Sequence, residues 1–134
     1  MSKAILHTDG GARGNPGPAG IGAVLEIGDK KKLFKKYIGE ATNNQAEYQA
    51  LILGLEKAKE FGVEEIECRL DSELVVKQLN REYKVKDKGL SPLFVKIWNL
   101  AQGFKKISYK HIFREQNKLA DRLVNEAIDD GLTK

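Results

Sequence analysis

The chain has 134 residues, of which 41% are hydrophobic and 31% are charged. This length fits one domain over residues 1–134, and this composition can bury a core, which excludes a disordered chain. No apolar run approaches the ~20 residues that span a bilayer. The N-terminus lacks the pattern of a signal peptide, so we expect a cytoplasmic protein with no membrane contact. Cys68 is the single cysteine, which excludes an internal disulfide and a cysteine-based metal cluster.

The net charge is +4, and the lysines are clustered along the chain, in Lys30–Lys32, Lys35–Lys36 and Lys84–Lys88. Such clusters are typical of a solvated surface. They also suit contact with a phosphate backbone, where several cations act together. Charge alone therefore leaves a nucleic acid as one candidate partner.

The first third of the chain predicts an antiparallel meander of three strands. The stretch from Lys3 to Thr8 is typical of a buried strand. Asp9 to Gly20 contains five of the thirteen glycines and two of the three prolines, which predicts a loop. Two further strands, over Ile21 to Ile27 and Leu33 to Ile38, are joined by a hairpin connection.

The rest of the chain alternates between helices and strands. Helical spacing runs from Asn44 to Phe61, and Gly62 stands where a helix ends. The later patterns predict a strand over 65–70, helices over 72–79 and 92–104, a strand over 106–113 and an amphipathic helix over 117–128. The order βββαβααβα predicts an α/β fold with helices packed against a mixed five-stranded sheet.

Four acidic residues stand at the ends or starts of these elements: Asp9, Glu47, Asp71 and Asp121. Each has a structural alternative. Asp9 fits an Asp-Gly turn, Asp71 fits an N-cap, and Glu47 fits a capping box with Asn44. Asp121 fits the first turn of a helix, where the helix dipole favours any acid. These alternatives stay open for each residue taken singly.

Taken together, the four acids point to a metal site. All four lie on elements that pack around one sheet, so they can converge. Like charges brought together repel strongly unless cations lie between them. Oxygen ligands without a cysteine or histidine cluster favour Mg²⁺ or Mn²⁺ over zinc. An acidic metal pocket in a basic chain suits the cleavage of phosphodiesters.

Four segments of the sequence resemble the signatures of type 1 ribonuclease H. They are TDGGARGNPGPAG at 8–20, TNNQAE at 42–47, LDS at 70–72 and NKLAD at 117–121, and they occur in the order of the family. The resemblance implies a ribonuclease H-like fold with strand order 3-2-1-4-5 and helices on both faces. It also implies cleavage of the RNA strand of RNA–DNA hybrids, with 3′-hydroxyl and 5′-phosphate ends.

The resemblance also assigns the acids a role. Carried over by position, Asp9, Glu47, Asp71 and Asp121 are catalytic and hold two Mg²⁺ ions, with Mn²⁺ as a substitute. The two ions would clamp the attacking and leaving oxygens at the scissile phosphate.

Other matched positions are implied to contact the hybrid through its backbone and 2′-hydroxyl groups. The expected substrate-binding residues are Gly10, Gly11, Asn15, Thr42, Asn43, Asn44, Ser72 and Lys86. The threonine and the asparagines among them also fit a structural role in the turn and the cap before the helix.

The chain departs from the family in its catalytic loop. Many members carry a histidine shortly before the last aspartate, and this chain has none there. His7 and His111 fall inside predicted strands and are expected to be ordinary strand residues. Arg114 or Glu115 is the candidate substitute.

The tryptophan-rich basic protrusion of some members is also missing. Trp98 lies in an apolar helical pattern and is expected in the core, while Lys86 belongs to a reduced basic contact. Glu73 replaces a glutamine of several members, which leaves that RNA contact open.

Short members of this kind include enzymes that attack double-stranded RNA, so this substrate stays open as well. We expect a monomer. The alternatives are a hybrid-binding module with a silent site and another metal-dependent nuclease of the same fold.

Overall fold

A mixed five-stranded sheet lies at the centre of the protein, in a computed structural model that describes residues 3–133. The strands are β1 (Lys3–Ala12), β2 (Gly17–Ile27), β3 (Lys30–Ala41), β4 (Glu65–Leu70) and β5 (Lys106–His111). Their order is β3-β2-β1-β4-β5; β2 is antiparallel to both β1 and β3, while β4 is parallel to both β1 and β5. The predicted order and the mixed character of the sheet are confirmed.

Helices cover both faces of this sheet, as predicted. They are α1 (Asn43–Glu60), α2 (Glu73–Leu79), α3 (Ser91–Ala101) and α4 (Lys118–Leu132), with a short 3₁₀ helix at Arg114–Gln116. The main core joins the sheet to α1, α2 and α3 through buried residues such as Leu6, Leu51 and Ile97. A smaller core on the opposite face joins Val24 of β2 to α4. Within residues 3–133, no helix is both long enough and apolar enough to cross a membrane.

The glycine-rich segment after Thr8 is mostly strand, so the loop predicted over 9–20 is wrong. β1 continues to Ala12 by pairing with β2, and only residues 13–16 form the connection. The glycine at position 10 serves close packing and not a turn, since a Cβ there would collide with the backbone carbonyl of Ala46 in α1. Glycine content alone does not separate these two uses.

The caps of α1 and α2 exclude the structural alternatives that were open for two of the acids. Thr42 is the N-cap of α1 and forms a capping box with Gln45, with bonds of 3.1 and 2.9 Å. Ser72 caps α2 by accepting a hydrogen bond of 3.3 Å from the backbone of Val75. Neither Glu47 nor Asp71 is therefore a capping residue, and both carboxylates are available for another role.

The later helices also differ from expectation in detail. The expected core position of Trp98 is wrong, because its side chain is 45% exposed and Ile97 is the fully buried residue of α3. β5 ends at His111, and the 3₁₀ helix fills the space before α4.

Candidate metal centre

The register of the sheet places two of the four acids side by side. β1 and β4 are parallel, and their last paired residues are Thr8 and Leu70. Asp9 directly follows Thr8, and Asp71 directly follows Leu70. Both acids therefore lie at the point where these two strands stop pairing. The prediction that Asp9 ends its strand is wrong, since β1 runs on beside β2. Its nearness to Asp71 follows from the end of the β1–β4 ladder.

Helix α1 brings the third acid to the same point. The backbone N–H of Gly10 donates a hydrogen bond of 2.8 Å to Oε1 of Glu47. This bond is possible because position 10 has no side chain to keep α1 away from β1. Asp9 and Glu47 are both 8% exposed. Carboxylate oxygens of Asp9, Glu47 and Asp71 lie within 4.8 Å of one another.

Helix α4 supplies the fourth acid from the other face of the sheet. Asp121 lies in the first turn of α4, and its carboxyl is within hydrogen-bond reach of the Asp9 carboxyl. Asp9 is therefore in contact with acids on both sides, since Glu47 is also within reach of it. The structure brings all four predicted acids together.

Burial and the charges of neighbouring acids make Asp9 and Glu47 reluctant to ionise without a cation. Burial, and then the charges of Asp71 and Asp121, raise the pKa of Asp9 to about 8. Burial, and then the charges of Asp9 and Asp71, raise the pKa of Glu47 well above its usual range, and the N–H of Gly10 offsets only part of this. A divalent cation would relieve both causes at once.

The donor set fits a hard divalent cation. The ligands are carboxylate oxygens, and neither cysteine nor histidine is among the three clustered residues. Such sites suit Mg²⁺, Mn²⁺ or Ca²⁺ and not a soft metal. The residues present therefore fit the metal that the sequence predicts.

The acids line an open cleft of about 390 Å³. Several predicted substrate-binding residues line it as well: Gly10, Gly11, Asn43, Asn44 and Ser72. Arg114, in the 3₁₀ helix, is another lining residue, whereas Glu115 is not among them. The cleft thus combines an acidic centre with a cationic side chain at its border, at the place where a loop histidine is missing.

Three predicted substrate-binding residues lie outside this lining. Asn15 Oδ1 accepts a hydrogen bond of 3.0 Å from the backbone of Asn43, so it holds the turn against α1. Thr42 is the helix cap described above. Lys86 is exposed in the segment between α2 and α3. A substrate contact for each of these residues stays a prediction.

One residue of the site has no role in the sequence prediction. The side-chain nitrogen of Asn117 donates to the backbone carbonyl of Thr8 at 2.9 Å and to Oδ2 of Asp71 at 3.1 Å. Asn117 belongs to the fourth signature, but an asparagine before a helix is common as a cap. Nothing in the sequence indicates that its side chain is buried beside Asp71.

The sheet order and the carboxylate cluster together define the ribonuclease H-like fold. Residues 7–127 match the family described as reverse transcriptase-like. A protein of Clostridium botulinum named ribonuclease H is 35% identical to the chain over an alignment 148 residues long. The match covers 97% of this chain and 98% of that protein. The chain therefore belongs to the type 1 ribonuclease H family.

Two further relatives extend this comparison. The bifunctional protein Rv2228c of Mycobacterium tuberculosis is 45% identical over 130 residues, which cover 95% of this chain. The chain spans only 36% of the length of that relative. The crystal structure of LC11-RNase H1 in complex with an RNA/DNA hybrid superposes with a TM-score of 0.91 at 48% identity, over 96% of this chain and 99% of that one.

Proposed function

We propose that the protein is an endoribonuclease that cleaves the RNA strand of RNA–DNA hybrids and leaves 3′-hydroxyl and 5′-phosphate ends. The observation that carries this proposal is the cluster of four carboxylates at the centre of an open cleft. The hybrid bound to the related LC11-RNase H1 supports the choice of substrate.

Asp9, Glu47, Asp71 and Asp121 are the proposed catalytic ligands of two Mg²⁺ ions, which Mn²⁺ can replace. When bound, the ions would neutralise charge on the phosphate, activate the attacking oxygen and stabilise the leaving oxygen. Contacts within the protein hold two of these ligands in place. The Gly10 N–H fixes one oxygen of Glu47, and Asp9 lies between acids on either side.

Arg114 is the proposed substitute for the missing histidine. It lines the same cleft as the acids, so its guanidinium can reach a phosphate held there. A guanidinium binds phosphate oxygens in a forked geometry, but it does not exchange protons near neutral pH. Its role is therefore to hold and neutralise the phosphate and not to carry a proton.

Substrate selection is proposed to depend on contacts with ribose and backbone. Gly11, Asn43, Asn44 and Ser72 line the cleft around the acids and offer small or hydrogen-bonding groups. Such groups suit 2′-hydroxyl and phosphate contacts, which do not read the base sequence. Double-stranded RNA presents the same groups and is a second proposed substrate.

Contacts outside the cleft extend this proposal. Lys86, on the exposed segment between α2 and α3, is proposed to bind the nucleic-acid backbone. Residues 1–134 are proposed to act as one catalytic domain and as a monomer, because all four acids come from one chain. The buried free thiol of Cys68 suits the reducing cytoplasm, which is the proposed location.

Cleavage of an end-labelled RNA–DNA hybrid in Mg²⁺ tests the proposed activity. The wild type should cut the RNA strand, and Asp9→Asn should cut it about 1,000-fold more slowly, because charge stabilisation by the metal contributes several kcal/mol. Asp29→Asn is the matched control, since it makes the same change in the exposed turn between β2 and β3. This control should cut like the wild type.

Other results would replace the proposal. Tight hybrid binding without cleavage in either Mg²⁺ or Mn²⁺ would identify a binding module with a silent site. Cleavage of branched DNA in preference to the hybrid would identify another nuclease of the same fold.

A further inference from the structure

Asn117 is a polar residue in a place that usually holds an apolar one. It is 1% exposed and precedes α4 on the face of the sheet opposite α1. Its side-chain nitrogen makes the two hydrogen bonds given above, to the carbonyl of Thr8 and to the Asp71 carboxylate. Both partners are acceptors when Asp71 is ionised, so the nitrogen and not the oxygen of the amide faces them.

The other end of the same amide is unsatisfied. Oδ1 of Asn117 has no hydrogen-bond partner among residues 3–133. A buried acceptor without a partner costs about 1–3 kcal/mol. Stability alone would therefore favour an apolar side chain at this position, and the benefit of the amide has to lie in what its nitrogen holds.

The residue also connects the elements that carry three of the acids. Its side chain binds the carbonyl of Thr8, directly before Asp9, and the carboxylate of Asp71. Its own carbonyl accepts a hydrogen bond of 3.1 Å from the backbone of Asp121. One residue thus ties β1, the end of β4 and the start of α4 together at the metal centre.

We propose that Asn117 is a positioning residue that holds the Asp71 carboxylate in the orientation required for metal binding. Asp71 needs such a partner because it follows the last residue of β4 and is less buried than Asp9 or Glu47. Asn117 does for Asp71 what the Gly10 N–H does for Glu47. Hydrogen bonds from outside a metal site orient its ligands, and losing one lowers metal affinity by about 10- to 100-fold.

Calorimetric titration of the protein with Mn²⁺, without nucleic acid, tests this role. Asn117→Leu keeps the branching and the number of heavy atoms of the side chain, with a somewhat larger volume, but removes the donor. It should bind Mn²⁺ about 10- to 100-fold more weakly than the wild type. In hybrid cleavage, which rests on the proposed function, its kcat should fall while its KM for the hybrid stays unchanged, since Asn117 does not line the cleft.

Ile97→Val is the matched control for a general loss of stability. It removes a methylene from the core of α3, away from the metal centre, and should leave Mn²⁺ affinity unchanged. Circular dichroism checks that each variant is folded. If Asn117→Leu does not fold, Asn117→Ala, which also lacks the donor, is judged by the same titration.

The outcomes separate this inference from the proposed function. A folded donor-free variant that binds Mn²⁺ like the wild type would overturn the positioning role, whether or not the wild type cuts hybrids. Weaker Mn²⁺ binding by that variant would support the positioning role, even if the wild type binds metal and fails to cut.

Discussion

Arg81 has a backbone conformation that its residue type disfavours. Within residues 3–133 it is the only residue other than glycine with a positive φ, which is 62°. It follows Asn80, the C-cap of α2, and the N–H of the next residue, Glu82, bonds back to Lys77 at 2.8 Å. Helices that end in this way usually have glycine at this position, because a Cβ is strained there.

Arg81→Gly should therefore stabilise the protein. The gain in unfolding free energy should be about 0.5–1 kcal/mol, because the relief of strain exceeds the added entropy of the unfolded chain. Urea denaturation measures it. Arg81→Ala also removes the charge but keeps the Cβ, so it should show no gain. Equal stabilisation by both variants would trace the effect to the side chain and not to the backbone.

Single residues of the site differ in how far the sequence predicts them. The four acids are predictable for two reasons. Carboxylates that converge on one site repel one another unless a cation lies between them, and the four signatures occur in the order of the family. Asn117 belongs to one of those signatures, yet its partners are 109 and 46 residues away in the chain. Contacts between residues so far apart in the chain depend on the register of β1 with β4, which no local sequence pattern specifies.

Helix α4 lies close to the sheet because β2 has glycine at two positions that face it, Gly20 and Gly22. A Cβ at Gly22 would lie 2.7 Å from Cβ of Leu123 and 2.8 Å from the carbonyl of Ala120. A Cβ at Gly20 would lie 2.7 Å from the carbonyl of Val124. The first turns of α4 carry Asp121, so these glycines also determine where the fourth acid stands.

Gly22→Ala should lower the unfolding free energy by about 1–3 kcal/mol, since an added methyl overpacks the interface with α4. It should also weaken Mn²⁺ binding by moving Asp121. Thermal unfolding and metal titration measure the two effects. Gly11→Ala is the control, because its Cβ would lie an ordinary 3.7 Å from Val124. A Gly22→Ala protein as stable as the wild type would mean that α4 shifts without cost.

The order and type of the elements follow from local periodicity, and their ends do so only in part. The strand predicted over 65–70 matches β4 residue for residue, since it alternates cleanly between turns. β1 is four residues longer than predicted, because its glycines look like a loop until the helices packed on them are known. The 3₁₀ helix is too short to leave a periodic signal.

For the molecule as a whole, the acidic centre makes stability depend on pH and metal. The pKa of Asp9 is raised from 3.8 to about 8, so the folded state holds this proton more tightly than the unfolded state does. The stability that Asp9 contributes is fully present below pH 3.8, and it is lost as the pH rises through the folded-state pKa of about 8. Bound Mg²⁺ should restore the stability that is lost at high pH.

The metal-free wild type should therefore lose stability relative to Asp9→Asn between about pH 5 and about pH 8. Urea denaturation of both proteins in a chelator measures this difference, and the comparison removes the contribution of groups that do not interact with Asp9. Mg²⁺ at 100 times its Kd should stabilise the wild type at pH 8 by about 2.7 kcal/mol. A constant difference between the two proteins across this range would mean that Asp9 stays ionised in the folded state.

The placement of Asp121 on α4 has a consequence for the protein as it is made. Residues of the centre come from β1, the earliest strand of the described residues, and from α4, which follows the other described elements. A nascent chain that ends before Asn117 lacks both the fourth acid and the asparagine that ties the start of α4 to β1. The metal centre is therefore complete only after synthesis has passed Asp121, and a ribosome stalled earlier releases a chain without the fourth acid.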